Sequence, residues 1–85
     1  MNKELLKKIK VLYVEDEDDV REFTGKTIEA IVKEVIMAEN GKIGLEKFIE
    51  NQDIDLIVTD IIMPKMGGLD MCSKIKEINS SIPIV

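Results

Sequence analysis

The chain has 85 residues, 45% of them hydrophobic and 34% charged, a balance that suits one small globular domain and argues against disorder. Seventeen Asp and Glu against twelve Lys and Arg leave a formal charge of −5, which disfavours non-specific binding to nucleic acid or anionic lipid and favours a basic partner or a metal. There is no histidine, so histidine acid–base chemistry and histidine metal ligation are excluded, and the single cysteine, Cys72, has no partner for an internal disulfide and fits a reducing compartment.

No apolar stretch approaches the roughly 20 residues of a membrane span, and residues 1–9 lack the apolar core and cleavage site of a signal peptide. No membrane association is expected, and the expected location is cytoplasmic. Leu5, Leu6 and Ile9, interspersed with lysines, read as an amphipathic turn lying on the domain. Residues 11–14 form a nearly continuous apolar run after Lys10; its β-branched content predicts a strand buried on both faces, and it stops at the acids Glu15 and Asp16. Val20, Phe23, Thr27, Ile28 and Ile31 recur at helical spacing and mark the following helix, with Asp18 or Asp19 capping its start.

Residues 34–38 predict a second strand, and Asn40-Gly41 turns out of it with the asparagine placed to cap a second helix, whose apolar face is Leu45, Phe48 and Ile49. Asn51, Gln52 and Asp53 break that pattern before residues 54–59, a third strand expected to be the most buried of the set, which ends at Asp60. Residues 63–68 form a loop punctuated by Pro64, Gly67 and Gly68. A third helix should turn Leu69, Cys72, Ile75 and Ile78 inward, and residues 82–85 begin a fourth strand with Pro83 near its start.

This repeated β-α order, with no long loop, linker or low-complexity stretch, predicts an α/β fold: a doubly wound parallel sheet with crossover helices. Strand starts near residues 10, 34, 54 and 82 set the size of each unit, and five such units would need roughly 120 residues. About four of five are expected here. If the first and third strands are neighbours, Glu15, Asp16 and Asp60 meet at the carboxyl edge of the sheet, where open α/β folds place their sites. Three crowded carboxylates call for a divalent cation, and without one at least one of them should hold its proton more tightly than a free side chain does.

Each fragment has a plain alternative. A run of five acids from Glu15 to Asp19 suits a solvated loop, and an aspartate at a strand end often only terminates a strand. Together, however, the Val-Glu-Asp-Glu end of the first strand, the turn at residues 38–41, the Asp-Leu-Ile-Val-Thr-Asp-Ile-Ile-Met-Pro-Lys-Met-Gly-Gly block from Asp55 and the Ser-Ile-Pro-Ile-Val approach to the fourth strand resemble the receiver domain of two-component response regulators. The resemblance runs the length of the chain and implies a flavodoxin-like fold, with residues 1–85 as the N-terminal portion of a receiver.

By that resemblance Asp60 is the phosphoacceptor, taking a phosphoryl group from a sensor histidine kinase. Asp16 binds Mg²⁺ directly, Glu15 acts mainly through water, and Asp60 and the backbone carbonyl of Ile62 complete the protein ligands. Receiver domains also use a Ser or Thr after strand four and a lysine after strand five, and neither position falls within the 85 residues; Lys65 does not match that lysine and reads as a solvated loop charge. A sheet ending at the fourth strand exposes an unpaired edge, so a homodimer or an exchange of elements between copies is also expected.

Two other functions compete. One is a receiver-like module that dimerises or docks without phosphorylation; the other, a metal-dependent phosphohydrolase, would need a further acid near the acceptor, where the sequence has Ile61-Ile62. The remaining residues read as structure: Cys72 as core rather than nucleophile, the methionines as packing filler with Met63 and Met66 as a candidate docking surface, and Gly41 and Gly44 without the spacing of a nucleotide loop.

Overall fold

The computed structural model describes residues 3–60 and 67–85. Residues 10–14, almost entirely apolar, become the central strand of a parallel three-stranded sheet: β1 (Lys10–Val14) lies between β2 (Glu34–Ala38) and β3 (Leu56–Thr59), in the order β2-β1-β3. Val11, Leu12, Tyr13 and Val14 are all buried, because a strand paired on both sides and covered on both faces has no exposed surface left. β3 is less buried than its apolar sequence predicts. Only Ile57 is fully covered, since among the described residues the outer side of β3 meets no more than a single bridge, Ile57 to Ile84, extended by the Thr59–Val85 hydrogen bond of 3.1 Å. The expected fourth strand is thus reduced, among the described residues, to that bridge.

Helices cover both faces. α3 (Gly41–Glu50) and α4 (Gly68–Ile78) pack on one, where Phe48, Met71 and Ile75 join Leu12, Val14, Ala38, Ile54, Ile57 and Ile82 in the main core. Asn40 caps α3 as its sequence suggests: its Oδ1 accepts from the Ile43 N–H at 2.9 Å, which satisfies one of the orphan donors of the first turn. The inward face of α4 is Met71 and Ile75, with Cys72 half-buried, whereas Leu69 is 68% exposed and Ile78 also faces out. Met71 lies over Gly44 of α3, and that close approach turns Leu69, two residues and about 200° earlier, to the far side.

α2 (Asp18–Glu29) covers the other face. Its N-cap is Glu17 rather than Asp18 or Asp19, which stand in the first turn, where their charge suits the positive end of the helix dipole. The apolar stripe read from the sequence faces outward except for Ile28. Phe23 is 77% exposed, and Val20, Thr27 and Ile31 are exposed with it. Gly25 is buried against Met37 of β2, so Arg21, Gly25 and Ile28 turn inward and residues about 200° away turn out.

The amino end of the sheet is tied by Lys10. Its N–H donates to Asp55 Oδ2 at 2.9 Å, and its Nζ lies 3.1 Å from Asp53 Oδ1 and 3.9 Å from Glu34 Oε2, joining the starts of all three strands. The Lys10 ammonium holds the Asp53 carboxyl below its ordinary range. A four-residue helix, α1 (Lys3–Leu6), precedes β1, and Leu5 and Ile9 line an open apolar groove with Leu56, Pro83 and Val85.

Candidate functional site

The parallel register places Val14 beside Ala38 on one side and Thr59 on the other, so the residues that follow β1 and β3 leave the sheet at the same edge. Their backbones are still held by the ladder. The Glu15 N–H donates to the Ala38 carbonyl at 3.0 Å, and the Asp60 N–H donates to the Val14 carbonyl at 3.2 Å. The strand order reverses direction at β1, the switch point where doubly wound sheets open a crevice at their carboxyl ends.

At that edge the structure brings together the three acids read from the sequence. Glu15, Asp16 and Asp60 each offer a carboxylate oxygen within 4.8 Å of the others; Glu15 and Asp16 are half-buried and Asp60 is exposed. Glu15 Oε2 also accepts the Glu17 N–H at 3.1 Å. Burial lifts the Glu15 carboxyl above its ordinary value, the Glu17 hydrogen bond offsets part of the rise, and a hydrogen bond with Asp16 and the charges of Asp60 and Asp16 add to it. One of the clustered acids therefore does hold its proton more tightly, though desolvation outweighs the mutual repulsion that the sequence suggested as the reason.

Oxygen-only ligands at an exposed edge suit a hard divalent cation such as Mg²⁺, which keeps several waters of its own. The Ile62 carbonyl, Lys65, Met63 and Met66 lie outside the described residues. One residue that the sequence reading passed over does touch the site. Arg21, in the first turn of α2, donates from Nη1 to the Glu15 carbonyl at 2.9 Å and pairs through Nη2 with Asp18. An arginine three residues after an aspartate was visible as a helical ion pair, but its reach to the Glu15 backbone was not.

A family model described as the response regulator receiver domain matches residues 11–85. The chain belongs to this family. Among curated relatives of this receiver domain, the response regulator ArlR of Staphylococcus saprophyticus is 37% identical over 76 residues, covering 89% of this chain and 34% of that protein. The chain spans about a third of the length of ArlR and of two further transcriptional regulatory proteins among the curated relatives it matches. A receiver domain protein from Clostridium thermocellum superposes with a TM-score of 0.85 at 32% identity, covering 89% of this chain and 61% of the other. The response regulator TrrA of Thermotoga maritima, solved with Mg²⁺ and BeF, gives a TM-score of 0.82 at 32% identity and covers 89% and 65% of the two chains. TrrA has also been solved in complex with the histidine kinase ThkA, with a TM-score of 0.80 at 32% identity and cover of 89% and 65%.

The expected flavodoxin-like α/β fold therefore stands, and the receiver is a signalling domain. Among the described residues no helix is long and apolar enough to cross a membrane.

Proposed function

We propose that this receiver domain is a phosphoacceptor, in which Asp60 takes a phosphoryl group from the histidine of a sensor kinase while Glu15, Asp16 and Asp60 hold Mg²⁺. The observation that carries this reading is the convergence of three carboxylates within 4.8 Å on ladder-held backbones, in a member of the receiver family. The Ile62 carbonyl is the expected further ligand.

Asp60 is the exposed member of the trio, which leaves it open to a bulky donor, while Glu15 and Asp16 sit deeper. An Asp60 carboxylate oxygen attacks phosphorus, a P–O bond forms as the donor P–N bond breaks, and a proton from solvent passes to the departing imidazole nitrogen. When bound, Mg²⁺ neutralises charge on the phosphoryl oxygens, which is the main demand of such a transfer. The ladder bonds at Glu15 and Asp60 contribute positioning, since they fix both acids to the same rigid edge.

The partner is a sensor histidine kinase, as the TrrA–ThkA complex supports by likeness. The ion is Mg²⁺, as TrrA with Mg²⁺ and BeF supports in the same way. The location is cytoplasmic, in keeping with a charge of −5 and the lack of a membrane-spanning helix among the described residues.

A small phosphodonor with Mg²⁺ should add one phosphoryl group to the full-length protein, measured by intact mass, and Asp60→Asn should abolish the addition. Labelling that persists in Asp60→Asn refutes the assignment.

A further inference from the structure

Among the described groups around the acidic edge, one cation reaches the backbone rather than a ligand carboxylate. Arg21 Nη1 donates to the Glu15 carbonyl at 2.9 Å, while Nη2 is held by Asp18 and the Arg21 N–H closes the first turn of α2 on the Glu17 carbonyl at 2.8 Å. The Arg21 side chain is only 19% exposed, so the guanidinium is packed into the loop.

The place of that carbonyl matters. The peptide before Glu15 is fixed by its N–H on Ala38. The peptide after Glu15 carries the carbonyl that Arg21 holds, and it leads directly into Asp16. With the peptide planes on both sides of its Cα pinned, Glu15 has lost both of its soft backbone rotations, and the origin of the Asp16 side chain is set. The third restraint on the loop, the Glu17 N–H on Glu15 Oε2, depends on a carboxylate that metal would engage. The Arg21 bond does not.

We propose that Arg21 is a positioning residue of this site: it fixes the Glu15–Asp16 peptide so that the two carboxylates are pre-set for the cation. This rests on the metal-site reading above. The proposal has a sign that distinguishes it from simple electrostatics. A positive group beside a cation site repels the cation, so removing its charge without any positional effect would tighten Mg²⁺ binding. Loss of positioning loosens it, as loss of outer-shell partners generally does. Lysine keeps the charge but lacks the planar fork that grips a carbonyl and a carboxylate at once.

The test is Mg²⁺ binding by titration calorimetry on the full-length protein and its Arg21→Lys and Arg21→Gln variants, with melting curves in chelator to read the metal-free fold. Both variants should bind Mg²⁺ about tenfold or more weakly than wild type, while their metal-free melting points stay close to wild type. Wild-type affinity in Arg21→Lys, or tighter binding in Arg21→Gln, overturns the positioning role. A lowered metal-free melting point with unchanged affinity also overturns it, since Arg21 would then be only a structural contact. Wild-type protein that binds no Mg²⁺ overturns the site itself, a separate failure that the wild-type titration reads alone.

Discussion

Two glycines that look alike in sequence should respond in opposite ways to alanine. Each lies inside a helix, so alanine should gain about 1 kcal/mol of helix propensity at either position. At Gly44 a Cβ would stand 2.9 Å from Val14 Cγ2 and 2.7 Å from Met71 Sδ. Both neighbours are fully buried, and Val14 is a stiff β-branched residue in the central strand. Overpacking of that kind costs roughly 1–3 kcal/mol, so Gly44→Ala should lose about 1 kcal/mol net, or about 5 °C in a domain of this size.

At Gly25 the new Cβ would collide with the end of the Met37 side chain, but Met37 is 37% exposed and its thioether swings into solvent. There the propensity gain should win, leaving Gly25→Ala as stable as wild type or slightly more so. Thermal and urea melts of the two variants in chelator provide the comparison. Equal shifts, or Gly25→Ala as the less stable of the two, would refute the claim that stiffness of the neighbour decides the sign. Val14 directly precedes Glu15, so Gly44→Ala should also weaken Mg²⁺ binding.

Glu15 predicts how pH acts on the site. Its folded value is raised, so the folded state binds its proton more tightly than the unfolded chain does; the resulting stability is present at low pH and declines as pH rises through the raised value. Mg²⁺ should therefore raise the melting temperature more at neutral pH than near pH 4, by about 2.7 kcal/mol of stability at a hundredfold excess over Kd; a pH-independent shift would count against the site. Glu15→Gln should raise the metal-free melting temperature at neutral pH and blunt the response to metal, both readable in the same scans. Ile75→Ala, in the core shared by α3 and α4, should cost about 2–5 kcal/mol, whereas Phe23→Ser on the outer face of α2 should stay within about 0.5 kcal/mol; denaturant melts giving similar losses would contradict the orientation of α2.

The strands were legible because each is a short β-branched run closed by polar residues, and β2 agrees with its expected bounds at Glu34 and Ala38. The Asn40 cap was legible for the same local reason. Helix orientation was not. Apolar spacing marks a helix but not which side is pressed home, and at α2 and α4 the deciding contacts are tertiary: Gly25 on Met37, and Met71 over Gly44. The lower burial of β3 likewise depends on what lies beside it.

At the site, Glu15, Asp16 and Asp60 could be singled out because each follows an apolar run. Their meeting required the β1–β3 register, which only the β-α alternation hinted at. Arg21 escaped because its target is a backbone carbonyl, and no residue type announces a carbonyl.

The outward stripe of α2 separates two kinds of change. Core positions such as Leu12 and Phe48 answer to the domain's own folding, and the acids answer to the ion and the phosphoryl group. Among the described residues, Phe23 and Val20 answer to neither, being 77% and 41% exposed on the outer side of α2. Sequence drift along that ridge leaves the packing among the described residues and the acidic site intact, so whatever restrains those positions over time must come from beyond these residues.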